Sequence, residues 1–125
     1  MDSRIAVVTG GSRGIGAATV HRLATLGWDV CLSLRERDAE ATEVVARCRG
    51  LGRRAFAVRA DVSVEADVVE LFARVDRDLG TVTTLVNNAG MVASKSRVDE
   101  MGAERVSQML SVNVVGAFTS ARSTR

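Results

Sequence analysis

Three glycines, Gly10, Gly14 and Gly16, stand between a short apolar run, Ile5 to Val8, and a segment of helical periodicity. A glycine trio in that setting does its chemistry through the main chain rather than through side chains. Gly10 permits a sharp turn out of the strand. Gly14 lets a ligand approach the backbone, and Gly16 lets the following helix pack close to the strand. The N–H groups of the first helical turn have no partner inside the helix, and the helix dipole adds positive potential there. Together they make an anion site suited to a pyrophosphate. The spacing is Gly-x-x-x-Gly-x-Gly rather than the common Gly-x-Gly-x-x-Gly. Taken by itself the trio also suits a tight turn that holds no ligand.

Further groups fall where such a ligand would need them. Arg35 follows the second apolar run, Asp61 and Val62 the third, and Asn87-Asn88-Ala89-Gly90 the fourth. Asn113 lies with Val106, Met109 and Leu110 on an apolar helical stripe. A buried amide there costs about 1–3 kcal/mol unless it is hydrogen-bonded. Both a satisfied core asparagine and a functional group that disturbs its helix in a crevice wall fit that position.

The elements that position these groups follow from hydrophobic period and turn residues. Strands are expected at about 5–8, 29–34, 54–59 and 84–86. Helices are expected at about 14–26, 39–49 and 63–79, with a last one from about 102. The first helix would bury Ile15, Thr19, Leu23 and Leu26, and the second Ala41, Val44, Val45 and Cys48. Ser63 is the expected N-cap of the third, whose stripe is Val64, Val68, Leu71, Phe72, Val75 and Leu79. Residues 91–99 read as polar and irregular. Short apolar strands alternating with amphipathic helices give an α/β fold: a doubly wound parallel sheet of Rossmann type, strand order 3-2-1-4. Ligands of such sheets bind at the carboxyl ends of the strands, between strands 1 and 4, where the glycine turn lies.

Composition narrows the function classes. The 125 residues are read as one domain, and 46% hydrophobic content suffices for a core. Net charge is +2, with 17 basic residues spread along the chain against 15 acids. No basic stripe points to nucleic acid, and 3% aromatic content without tyrosine argues against base stacking. Charge interrupts every apolar segment, so no membrane span is expected. The chain enters its first strand with no room for a signal peptide, so a cytoplasmic location is expected. Cys31 and Cys48 have no metal or redox spacing and read as buried thiols. His21 has no partner motif, and Trp28 reads as packing at the sheet edge.

Thr-Gly-Gly-Ser-Arg-Gly-Ile-Gly at 9–16, Asp61-Val62, Asn87-Asn88-Ala89-Gly90 and Ser111-Val112-Asn113 resemble the short-chain dehydrogenase/reductase family over about 4–121. The chain is most similar to its 3-oxoacyl-carrier-protein reductase and sugar-alcohol dehydrogenase types. The resemblance implies an oxidoreductase acting on a small alcohol or carbonyl substrate, and it allows a family-type homo-oligomer. It implies that Gly10, Gly11, Ser12, Arg13 and Ile15 line the adenosine and pyrophosphate. Asp61 would accept from the adenine amino group while Val62 packs on the ring. Asn88 would tie strand four to its neighbours, and the backbone of Asn88, Ala89 and Gly90 would contact the ribose. Asn113 matches the asparagine of the family's Asn-Ser-Tyr-Lys tetrad, where it interrupts a helix and holds a water.

Charge bears on the cofactor. An NAD site places a carboxylate at the end of strand two for the ribose 2′-OH. Leu34 or Arg35 stands there instead, and Arg13 and Arg35 can both reach a 2′-phosphate. NADP(H) is therefore expected over NAD(H). Glu36 would restore an acid if the strand ended one residue later.

The family's tyrosine and lysine lie beyond the asparagine. Here there is no tyrosine, and Lys95, the only lysine, has Met91 four residues before it. The expectation is a reductase N-terminal half, truncated or fragmentary, spanning 1–125 as one dinucleotide-binding domain. A non-catalytic dinucleotide-binding fragment or pseudoenzyme is the alternative. A methyltransferase would want an acid at the end of strand two, which Leu34-Arg35 disfavours.

Overall fold

The computed structural model describes residues 4–36, 38–90 and 97–124. Four strands, β1 (Ile5–Val8), β2 (Asp29–Leu34), β3 (Ala55–Arg59) and β4 (Thr84–Val86), form one parallel sheet in the order β3-β2-β1-β4. Register runs from Ile5↔Asp29 to Val8↔Leu32, from Val30↔Ala55 to Leu34↔Arg59, and from Ala6↔Thr84 to Val8↔Val86. This is the expected Rossmann-type order.

Strand side chains alternate between two cores. On one face Val8, Val30, Leu32 and Leu34 pack under α1 (Gly14–Thr25) and α2 (Ala39–Gly50) through Val20, Ala24, Ala41, Val45 and Cys48. Trp28 is half-buried against this cluster. On the other face Ile5, Val7 and Cys31 meet α3 (Glu65–Asp78) through Val68, Leu71, Phe72 and Val75. Every residue of β1 is fully buried, so the glycine turn leaves from the most enclosed strand.

Three expectations about helix faces are corrected. Ile15 is 80% exposed and Leu26 50%, and α1 buries Gly16, Val20 and Ala24 instead. Small residues at i, i+4 and i+8 bring α1 close to the sheet and turn the larger ones outward. Ser63 does not cap α3. Val64 is the N-cap residue, because Ser63 donates both its N–H and its hydroxyl to Asp61. Asn113 is exposed rather than buried. The last helix, α4 (Ala103–Leu110) and α5 (Gly116–Arg122), is joined through a π-helical turn, Ser111–Val115. It packs through Val112, Gly116 and Ser120, and leaves Val106 and Leu110 exposed. Segment 91–96, which includes Lys95, lies outside the described residues; a short 3-10 turn, Val98–Glu100, follows it. No described helix is long and apolar enough to cross a membrane.

Candidate functional site

The glycine turn is pinned from both sides. Gly10 and Gly11 donate their N–H groups to the hydroxyl and carbonyl of Ser33 on β2, at 3.4 and 3.1 Å. From the β4 side, Asn88 Nδ2 donates to the Gly10 carbonyl at 2.9 Å. Thr9, 1% exposed, accepts at Oγ1 from the N–H groups of Asn88 and Ala89, at 3.1 and 3.0 Å. Its hydroxyl in turn points its proton to the Val86 carbonyl. The ends of β1 and β4 are thus one hydrogen-bonded unit. In the sequence Thr9 stands only as the first residue of the motif at 9–16, with no role of its own. A threonine there, followed by glycine and facing an asparagine pair on a neighbouring strand, was the available signal.

The glycines divide by what surrounds them. A Cβ on Gly16 would lie 2.2 Å from the Gly10 carbonyl oxygen and 2.5 Å from Asn88 Nδ2, so no side chain fits. One on Gly11 would meet Leu32 Cβ at 2.7 Å. Gly14, at φ +54°, has nothing within 4 Å of that position. Gly16 and Gly11 therefore close the packing, whereas Gly14 borders open space.

The N-terminus of α1 has no side-chain cap and no acid in its first turn. By contrast Asp38 caps α2, accepting from the Ala41 N–H at 2.7 Å. With no cap among the described residues, the first-turn N–H groups and positive dipole end of α1 can meet another anion.

A cleft of about 480 Å³ opens at the carboxyl edge of the sheet. Of the sequence-predicted residues, Gly10, Ser12, Arg13, Arg35, Asp61, Val62, Asn88, Ala89 and Gly90 line it. Gly11 and Gly16 are packed within the turn, Gly14 borders open space beside the cleft lining, and Ile15 points to solvent. Ser33, Glu36, Asp38 and Val112 also line the cleft. Asn113 does not line it directly, but its Oδ1 lies 3.2 Å from where a Cβ on Gly90 would be.

Two devices hold the Asn113 turn to the cleft rim. Gly116 presses on Val62, whose carbonyl oxygen lies 2.8 Å from a Cβ built on the glycine. Asn87 Nδ2 donates to the Ala117 carbonyl at 3.0 Å. The glycine inside a helical pattern was the sequence signal for that close approach.

Charges in the cleft alternate in sign. Arg35 Nε lies 3.8 Å from Asp61 Oδ2. Arg13 lies 3.8 Å from Asp38 and 3.9 Å from Glu40. Burial pushes the Asp61 carboxyl up, but two hydrogen bonds from Ser63, with Arg35 and Arg59 nearby, outweigh it and hold the group below its ordinary 3.8. Asp61 is thereby kept an ionised acceptor at neutral pH. Among the described residues no cluster of His, Cys, Asp and Glu could hold a metal. Cys31 and Cys48 are free and buried, and His21 is exposed.

The family model for short chain dehydrogenases matches residues 4–124. An uncharacterized oxidoreductase of Escherichia coli (strain K12), YgfF, is 41% identical over 118 residues, covering 94% of this chain and 48% of that protein. A blue fluorescent protein from a metagenomic library, solved in complex with NADPH, is 34% identical with a TM-score of 0.92, covering 98% of this chain and 50% of that one. An NAD+-bound xylitol dehydrogenase is 30% identical with a TM-score of 0.90, covering 97% and 46%. The chain spans about half the length of each of these three proteins.

Proposed function

We propose, since this chain belongs to the short-chain dehydrogenase/reductase family, that it is the dinucleotide-binding part of an NADP(H)-dependent oxidoreductase. The enzyme would interconvert a small alcohol and its carbonyl compound, in the cytoplasm. One observation carries the reading. A single cleft gathers the glycine turn, Arg35, Asp61 with Val62, and Asn88 to Gly90 from the ends of four different strands.

The residues take distinct parts. The open backbone at Gly14 and the uncapped first turn of α1 suit a pyrophosphate. Asp61, ionised and fixed by Ser63, suits an adenine amino group, with Val62 against the ring. The Asn88–Gly90 backbone, held by Thr9, suits a ribose. Asn113, whose Oδ1 approaches Gly90 from the π-helical turn, would stand on the nicotinamide side as the family's tetrad asparagine. The bound cofactor would supply the hydride.

The preference for NADP(H) rests on Arg13 and Arg35. Their ion pairs are long, at 3.8–3.9 Å, and the guanidinium side chains are 68% and 53% exposed. Exposed pairs of this kind contribute about 0–1 kcal/mol. Redirecting either arginine to a 2′-phosphate therefore costs little, and a charge-assisted contact is worth about 1.5–3 kcal/mol. Calorimetric titration of the purified chain with NADPH and NADH tests this. NADPH is expected to bind more tightly, and Arg35→Ala is expected to shrink the difference. Equal affinities, or a ratio untouched by Arg35→Ala, would remove the argument.

The second reading, a binding module without turnover, draws on the absence of tyrosine from these 125 residues. A positioned acid contributes about 10²–10⁴-fold to such a reduction. The chain by itself is expected to oxidise no NADPH with ketones, quinones or 3-oxoacyl thioesters above background. Turnover that disappears in Asn113→Ala would overturn that expectation.

A further inference from the structure

The N-cap of α2 does more than close a helix. Asp38 uses its two carboxylate oxygens in different directions. Oδ1 accepts from the Ala41 N–H at 2.7 Å and caps α2. Oδ2 turns back to the glycine turn, accepting from the Ser12 hydroxyl at 3.2 Å with Arg13 Nη2 at 3.8 Å. The Asp38 side chain is only 21% exposed, and Ser12 is 7% exposed. The carboxylate is therefore a seated anion, fixed between the glycine turn and α2, inside the cleft.

Arg13 is a donor that the NADP(H) reading above needs, and the inference rests on that reading; Ser12 is the hydroxyl donor beside it. A 2′-phosphate drawn to Arg13 would meet the Asp38 carboxylate on the same guanidinium. Glu40, 3.9 Å from Arg13 Nε, adds a second negative charge from the first turn of α2. Glu36 lines the cleft from the loop after β2. Against them stand Arg13 and Arg35, the latter facing Asp61. Asp38 differs from the other acids in being fixed by two hydrogen bonds, one at each oxygen. It cannot swing away without uncapping α2.

We propose that Asp38 is a specificity-determining residue that occupies the donors of the 2′-phosphate subsite and limits how strongly this chain discriminates NADP(H) from NAD(H). In the free protein its carboxylate satisfies Ser12 and Arg13. With NADH it stays where it is, because a 2′-hydroxyl brings no charge. With NADPH the phosphate shares Arg13 with a like charge. The preference is thus set by a balance between Arg13 with Arg35 and Asp38 with Glu40, rather than by an acid at the end of β2.

The test neutralises the carboxylate and keeps the cap. Asn and Ser are both good N-cap residues, so Asp38→Asn and Asp38→Ser preserve α2, which circular dichroism and thermal melting verify. Binding of NADPH, NADH, adenosine 2′,5′-bisphosphate and AMP to the full chain is measured by calorimetry at fixed salt. Both variants are expected to raise the NADPH-to-NADH affinity ratio about tenfold, the scale of one partly exposed like-charge contact. The bisphosphate-to-AMP ratio should rise in parallel, with NADH and AMP affinities changed less than about twofold. An unchanged or lower ratio in two folded variants would overturn the proposal, as would binding of none of the four ligands. The underlying reading fails separately. A wild-type chain that prefers NADH would contradict the NADP(H) preference, yet a ratio that still rises in both variants would uphold the role of Asp38.

Discussion

Replacing Thr9 by valine removes one hydroxyl and almost nothing else. The two side chains have nearly the same shape, so the 1%-exposed site is neither emptied nor overfilled. What is lost is the acceptor for the N–H groups of Asn88 and Ala89. The Asn88 N–H retains a second acceptor in the Val86 carbonyl at 3.0 Å, so the full cost falls on Ala89. An unsatisfied donor costs about 1–3 kcal/mol when buried; the Ala89 N–H is half-buried, and the weakened Asn88 contact adds part of another bond. Thr9→Val should therefore lower stability by about 2 kcal/mol, or the melting temperature by about 8 °C for a chain of this size. Urea unfolding followed by far-ultraviolet circular dichroism measures it, with an unchanged m-value expected. Thr9→Ser keeps the hydroxyl and loses only a methyl group, about 0.8 kcal/mol, so serine should be the milder change. Ligand binding adds a second readout, since Asn88 to Gly90 line the cleft. Valine that is as stable as threonine, or more stable than serine, would refute the account of how β1 and β4 are joined.

Gly16→Ala should be poorly folded, because its Cβ would lie 2.2 Å from the Gly10 carbonyl oxygen and 2.5 Å from Asn88 Nδ2. Gly14→Val should stay largely folded at a strain cost of about 1–2 kcal/mol but lose NADPH binding, since the new side chain enters the open space at the turn; calorimetry separates the two glycines. Asp61 should shape the acid limb of the stability curve. Its folded pKa lies below the ordinary 3.8, so its contribution is complete above that value and is lost as pH falls through the lower folded one. Asp61→Asn should accordingly narrow the stability difference between about pH 7 and about pH 3 in chemical denaturation. Burial pushes the Cys31 thiol up to about 12 against the opposing pull of Arg74, and also raises Cys48. Both should resist iodoacetamide at about pH 8 until urea unfolds the chain, because only the thiolate reacts; modification of either in the native protein, read by mass spectrometry, would contradict their placement.

What the sequence makes legible is the part governed by local rules. The strands are short apolar runs between glycines and charges, and β2 and β4 fall where expected. Strand order follows from right-handed crossovers, and the cleft follows from strand order. What stays hidden depends on contacts far apart in the chain. The face of α1 was misjudged because periodicity weighs Ile15 and Leu26 above Gly16 and Ala24, whereas close packing on β1 selects the small residues. Asp38 stood in a charged loop, and its bond to Ser12, 26 positions away, has no local signature. Asn113 shares its stripe with Val106 and Leu110, and all three are exposed although the stripe is apolar; periodicity marks an apolar face but not whether anything covers it. Ser63 looked like a cap until Asp61 claimed its hydroxyl.

The central claim is that a nicotinamide dinucleotide lies in the cleft at the carboxyl ends of the strands. At 13.3 kDa the chain suits amide-resolved nuclear magnetic resonance, and titration of the labelled protein with NADPH tests the claim residue by residue. Shifts should concentrate at Gly10 to Gly14, at Asp61 and Val62, and at Asn88 to Gly90. Gly27, Arg54 and Gly80, at the opposite end of the sheet, should stay still. Shifts gathered instead in the groove between α2 and β3, around Val45, Phe56 and Arg74, or no saturable shift at all, would contradict it.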